Sequence, residues 1–160
     1  MRIKSCDETL LPQLRALIEE YMQRLGRDLA FQHIREELDD IAAKYAPPNG
    51  ELLVAVEDSS VLGMVAYHRH SETRCEMKRL YVVPAARGRK LGEQLVSAII
   101  EHASNAGYKE MVLDTIKPLE AAIALYKKYG FEECQPYYDN PMPDVIYMRL
   151  ELTKDRTASK

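Results

Sequence analysis

The segment that most constrains this chain lies between residues 74 and 107, where the side-chain period changes from two to 3.6 across a basic turn. Residues 74–83 (RCEMKRLYVV) read as a strand, and Pro84 ends it. Leu91, Leu95, Val96, Ile99, Ile100 and Ala103 then mark one face of a helix that stops at Gly107. Arg87-Gly88-Arg89-Lys90-Leu91-Gly92 joins the two. The first turn of a helix has backbone N–H groups with no intrahelical partner, and the macrodipole adds positive potential there. Gly88 and Gly92 keep Cβ atoms away from that backbone, and Arg87, Arg89 and Lys90 add three cations. Cations oppose the dipole at a helix N-terminus unless an anion compensates. A strand, a basic glycine turn and a helix start therefore predict a site for a phosphorylated ligand. The turn lacks the GxxxxGK[ST] pattern of a nucleoside-triphosphate loop and the GxGxxG of a dinucleotide fold.

The rest of the chain can be read around this unit. Residues 2–6 form a candidate strand, and Asp7 is placed to cap a helix carrying Leu10, Leu14, Leu17, Ile18, Tyr21, Met22 and Leu25 up to Gly26. Phe31, Ile34, Leu38, Ile41 and Tyr45 predict a second amphipathic helix, broken by Pro47-Pro48-Asn49-Gly50. Residues 51–57, 61–70 and 74–83 are strands at hairpin spacing and so antiparallel. After the central helix come a buried strand at 110–114, a helix at 118–129 closed by Gly130, a strand from Phe131 to Tyr137, and a last strand from Val145 to Leu152. This order predicts an α/β (α+β) fold: one domain over residues 1–152, with a mixed, mostly antiparallel sheet flanked by helices. Residues 153–160 carry no core residue and are expected to be a mobile tail.

Composition narrows the function classes. The chain has 160 residues, 46% apolar, enough for a single core, and a formal net charge of −3. An acidic balance argues against nucleic-acid binding through a broad basic face. No apolar run approaches the length of a membrane span, and the N-terminus has no secretory apolar region. Three scattered cysteines, Cys6, Cys75 and Cys134, suit buried thiols in a reducing cytosol and indicate no metal site. A cytoplasmic location is the expectation.

With these elements in place, Arg87-Gly88-Arg89-Lys90-Leu91-Gly92 resembles the acyl-CoA motif [RQ]-x-x-G-x-[GA] of the GCN5-related N-acetyltransferase (GNAT) superfamily. Lys90 stands where glycine is usual. The resemblance extends over nearly the whole chain and includes the segment Leu125-Tyr126-Lys127-Lys128-Tyr129-Gly130-Phe131. It implies the GNAT fold and an enzyme that transfers acetyl from acetyl-CoA to a primary amine. It also implies that Leu80, Tyr81, Val82 and Val83 offer backbone groups to the pantetheine amides, beside a bulge that splays this strand from the next. Arg87 through Gly92 would hold the pyrophosphate, and Thr115 would lie beside the cofactor.

Acyl transfer to an amine requires loss of a proton from the amine, stabilisation of an oxyanion and a proton for the leaving thiolate. Tyr126 sits where the family often places its general acid, and a phenol stays protonated at neutral pH. Its other reading is a core tyrosine on an amphipathic helix. Glu76 lies where some members carry a catalytic base, and on strict alternation it shares a face with Lys78, Leu80 and Val82. Its other reading is a cross-strand partner for a cation. The oxyanion donor implied by the resemblance is a main-chain N–H near Leu80.

For the acceptor, residues 136–144 (PYYDNPMPD) give an aromatic, acidic, proline-stiffened loop suited either to a cationic amine or to capping the core. Tyr21, Arg24 and Arg27 end the first helix, and Arg69, flanked by His68 and His70, is either a carboxylate clamp or a solvated strand end. A small metabolite amine is the preferred acceptor. A non-catalytic acyl-CoA sensor and a modifier of protein lysines or N-termini remain open, as does a homodimer.

Overall fold

The computed structural model describes residues 1–26 and 44–152. The second amphipathic helix expected over 31–45, Arg27 and the expected tail 153–160 lie outside these residues, apart from Lys44 and Tyr45. The elements in chain order are β1 (Arg2–Ser5), α1 (Leu11–Leu25), β2 (Gly50–Glu57), β3 (Ser60–Arg69), β4 (Arg74–Val82), α2 (Leu91–Asn105), β5 (Glu110–Ile116), α3 (Glu120–Lys128), β6 (Glu132–Glu133) and β7 (Val145–Glu151). The strands form a seven-stranded sheet in the order β1-β2-β3-β4-β5-β7-β6. Among the described residues only β4 and β5 pair in parallel; the other neighbours are antiparallel. This is the mixed, mostly antiparallel α/β architecture expected from the sequence.

Each face of the sheet has its own core. On one face the α2 residues Leu91, Leu95, Val96, Ile99, Ile100 and Ala103 pack with Leu53, Val65, Tyr67, Met111, Leu113 and Phe131. On the other, Leu14, Leu17 and Ile18 of α1 pack with Val54, Met64, Ala66 and Tyr81. Alternation along β2 and β3 supplies both faces, so these strands are buried on both sides.

Several boundaries differ from the sequence expectation. Asp7 caps a 3-10 turn, Glu8–Leu10, by accepting from Thr9 N–H at 3.0 Å, and α1 starts only after it, with Pro in its first turn. The strand expected from Phe131 to Tyr137 is reduced to Glu132–Glu133. One more backbone bond follows, from Cys134 N–H to Tyr147 O at 2.8 Å; Pro136 then offers no N–H, and Tyr137 and Tyr138 turn into an aromatic cluster instead. The last strand, β7, is paired on both sides, by β5 and β6, and is not an edge. No helix among the described residues is long and apolar enough to cross a membrane.

Candidate active site

β4 carries a bulge. Met64 pairs with Tyr81 and Ala66 with Lys78, so one residue of β3, Val65, lies opposite two of β4, Arg79 and Leu80. Arg79 takes the left-handed conformation, φ 61°. Beyond the bulge, alternation is inverted. Cys75, Met77, Leu80 and Val82 meet the α2 core, whereas Tyr81 meets the α1 core. Glu76 and Lys78 therefore do not share a face with Leu80 and Val82, as strict alternation had them doing. The extra residue is the reason.

The parallel pairing of β4 with β5 is confined to Arg74–Glu76 against Glu110–Val112. Past this point the strands part, and a cavity of about 610 Å³ opens between them. Met77 through Val82 line one wall and Leu113 through Ile116 the other, with α3 residues and Tyr21, Arg24 and Leu25 of α1 also lining it. Backbone groups of β4 that would ladder with β5 in a closed sheet face this opening instead.

Past Val82 stands the basic turn. Pro84–Ala86 form a 3-10 turn, and α2 begins at Leu91 with no side chain capping its N-terminus. Gly88 has φ 86°. Lys90 is the N-cap residue, with φ 61° and ψ 25° in the left-handed region. That conformation explains why glycine is the easier residue here. Arg87 lines the cavity; its Nε donates to Val82 O at 3.3 Å, and its guanidinium lies 5.8 Å from the Tyr81 ring centre. Arg89 turns away to Glu57 at 2.5 Å.

Of the residues singled out in the sequence, Leu80, Tyr81, Val82, Arg87, Gly92, Thr115 and Tyr126 line the cavity. Val83, Gly88, Arg89, Lys90 and Leu91 do not, and the Leu91 side chain is buried in the α2 core. Tyr126 lies on α3, edge-on to Phe131 at 5.8 Å. Burial, with smaller contributions from Tyr21 and Asp114, raises its pKa, so the phenol keeps its proton at any ordinary pH. No described residue bonds its hydroxyl.

Glu76 is placed differently from a solvent-linked base. It is 5% exposed and does not line the cavity. Its Oε1 meets His68 Nε2 at 2.7 Å, and its Oε2 accepts from the Tyr137 hydroxyl at 2.5 Å. Burial alone would raise its pKa, but the His68 bond, the Lys78 charge at 3.9 Å and the Tyr137 bond outweigh that and bring it to about 2. So acidic and enclosed a carboxylate is poorly suited to take a proton from an amine.

A model of the acetyltransferase (GNAT) family matches residues 11–131. The chain belongs to the GNAT family. An uncharacterized N-acetyltransferase of Schizosaccharomyces pombe is 48% identical over 146 residues, covering 90% of each chain. A GNAT-family acetyltransferase from Staphylococcus aureus superposes with a TM-score of 0.80 at 19% identity, over 95% of this chain and 99% of its own. An aminoglycoside 6'-N-acetyltransferase solved with coenzyme A superposes with a TM-score of 0.74 at 16% identity, over 96% and 98%. This GNAT chain is an acetyl-CoA-dependent N-acetyltransferase. Its cleft fits that cofactor on its own terms: an apolar slot between splayed strands with unladdered backbone, ending at an uncapped helix start flanked by Arg87.

The GNAT cleft also contains residues that sequence reasoning undervalued. Asp114 on β5 and Lys78 on β4 both line it. Asp114 Oδ2 accepts from the Tyr138 hydroxyl and from Asn140 Nδ2, the latter at 2.6 Å. Both bonds fall on Oδ2, and Oδ1 takes none among the described residues. The loop 136–144 is held by these bonds, by Tyr137 on Glu76, and by Tyr147, whose hydroxyl donates to Tyr138 O at 2.8 Å and accepts from Asn140 N–H at 3.1 Å. Its tyrosine rings pack on one another at 5.3–5.9 Å and so do not form an open aromatic cage. Met142 is the loop residue that reaches the cleft. The loop's phenols falling beside Glu76 and Asp114 is a long-range pairing for which the sequence held no local signal.

Proposed function

We propose that this enzyme acetylates the primary amine of a small metabolite. The observation that carries the reading is the cavity of about 610 Å³ between β4 and β5. Tyr21, Arg24 and Leu25 of α1 and Met142 of the pinned 136–144 loop help to line it. A pocket of that size lined by these side chains suits a small acceptor.

Acetyl-CoA supplies an activated acyl thioester. The chain's own residues do the rest. Backbone groups of Leu80 to Val83 align the pantetheine arm, and the turn Arg87 to Gly92 with the α2 N-terminus holds the phosphates. In that turn Arg87 and the backbone contribute most, because Arg89 is paired with Glu57 and Lys90 points outside the cleft. Thr115 borders the slot from β5. Asp114, through Oδ1 or a water on it, takes the proton the amine must lose. Tyr126, which lines the slot with its proton held, would supply that proton to the departing thiolate. Glu76, expected as the base, holds His68, Lys78 and Tyr137 in place and so positions the loop.

Thiol release from acetyl-CoA against amino acids, polyamines, aminoglycosides and short peptides tests the reading. Turnover confined to small amines is expected. Turnover on peptides alone would contradict it, and tight coenzyme A binding with no turnover on any member would favour a non-catalytic sensor.

A further inference from the structure

Lys78 is a buried cation inside the acceptor end of the cleft, and nothing in acetyl transfer itself requires one there. Its side chain is only 9% exposed, yet it lines the cavity between β4 and β5. The nearest carboxylate among the described residues, Glu76, lies 3.9 Å away and already takes His68 and the Tyr137 hydroxyl on its two oxygens. The side chains around Lys78 add to the problem. Burial lowers its pKa, Glu76 and Asp114 work against that fall, and Arg79 and Lys44 deepen it. A desolvated ammonium whose close carboxylate among the described residues is shared three ways gains from an added anion. Arg79, next to Lys78 in the chain, also lines the cleft. On β5, Asp114 has an Oδ1 that takes no bond among the described residues and can meet an ammonium or amine.

Resting on the small-amine reading above, we infer that the acceptor is an amino acid or other amine bearing an acid group. Its acid sits on Lys78, and its amine faces Asp114 and the thioester. The positive end selects for the acid, and the carboxylate on β5 orients the amine, so the two ends of the acceptor are told apart by charge.

The test pairs each amino acid with its own amide, which keeps the shape and removes the negative charge: alanine with alaninamide, and 3-aminopropionate with 3-aminopropionamide. kcat/KM is measured by thiol release at saturating acetyl-CoA. At least one acid is expected to exceed its amide roughly ten-fold or more, the scale of a charge-assisted hydrogen bond. Lys78→Met should remove about ten-fold of that ratio, and Lys78→Arg should restore part of it. Coenzyme A affinity and the melting temperature verify that each variant is folded; if Lys78→Met is not, Lys78→Gln takes its place. An acid-to-amide ratio near one in the wild type, or an unchanged ratio in the Lys78 variant, overturns the inference while small-amine turnover keeps the parent reading. Turnover on peptides with none on any small amine overturns both.

Discussion

At the scale of single residues, two positions show how local conformation and burial set behaviour. Lys90 holds a left-handed backbone, φ 61°, where the acyl-CoA motif usually has glycine. A non-glycine residue in that region costs roughly 1–2 kcal/mol, and glycine returns about 0.4–1 kcal/mol of that through the freedom it gives the unfolded chain. Lys90→Gly should therefore stabilise the fold by about 0.5–1 kcal/mol in denaturant titration. Coenzyme A affinity should change little, because Lys90 lies outside the cleft. Glu76 gives a pH signature. Its folded pKa of about 2 lies below the ordinary 4.5, so the stability it contributes is present above pH 4.5 and is lost as pH falls towards 2. The contribution is on the order of 3 kcal/mol. Glu76→Gln should flatten the acid limb of the stability profile in that window, and an acid limb identical to the wild type would show that the carboxylate is not held as described.

At the scale of elements, the loop between β6 and β7 and the bulge in β4 are the structural determinants of the site. The loop is fixed by phenol-to-carboxylate bonds at Glu76 and Asp114. Tyr137→Phe leaves one buried Glu76 oxygen without its donor and should cost about 1–3 kcal/mol of stability. A thermal melt reads that loss directly, and an unchanged melt would mean the loop is held by its ring packing alone. These elements also mark the limit of what the sequence disclosed. The long strands, α1, α2 and α3 were legible from their periods, and the phosphate turn from consecutive residues, because each is a local pattern. The inverted face of Glu76 and Lys78 was not, because one extra residue at Arg79 and Leu80 leaves no mark in composition. Nor was the shortness of β6, where Pro136 and the tyrosine cluster outweigh β-propensity. The strand, turn and helix start proposed for the cofactor could be read from Leu80 to Gly92, though of that run only Leu80, Tyr81, Val82, Arg87 and Gly92 line the cleft. The acceptor side depends on α1, β4, β5 and the 136–144 loop meeting in space, and Lys78 and Asp114 gained their meaning only there.

At the scale of the whole molecule, a mixed sheet that closes over β1 to β4 and opens between β4 and β5 converts a fold into a cleft. A ligand wedged between two strands joins the halves of the sheet and binds the folded state alone. Coenzyme A at about 100 times its Kd should stabilise the protein by roughly 2.7 kcal/mol, which for a chain of this size is a rise in Tm of about 5–10 °C. The affinity should weaken with added salt if, as proposed, the phosphates rest on Arg87 and the α2 N-terminus. The central claim is that acetyl transfer occurs in this opening with Tyr126 as proton donor to the leaving thiolate. The most direct measurement is kcat for thiol release by Tyr126→Phe, with the Kd for coenzyme A determined on the same preparation. The account predicts a fall of about 100-fold or more in kcat with the Kd within a factor of about two. A Tyr126→Phe enzyme that turns over at the wild-type rate would contradict it.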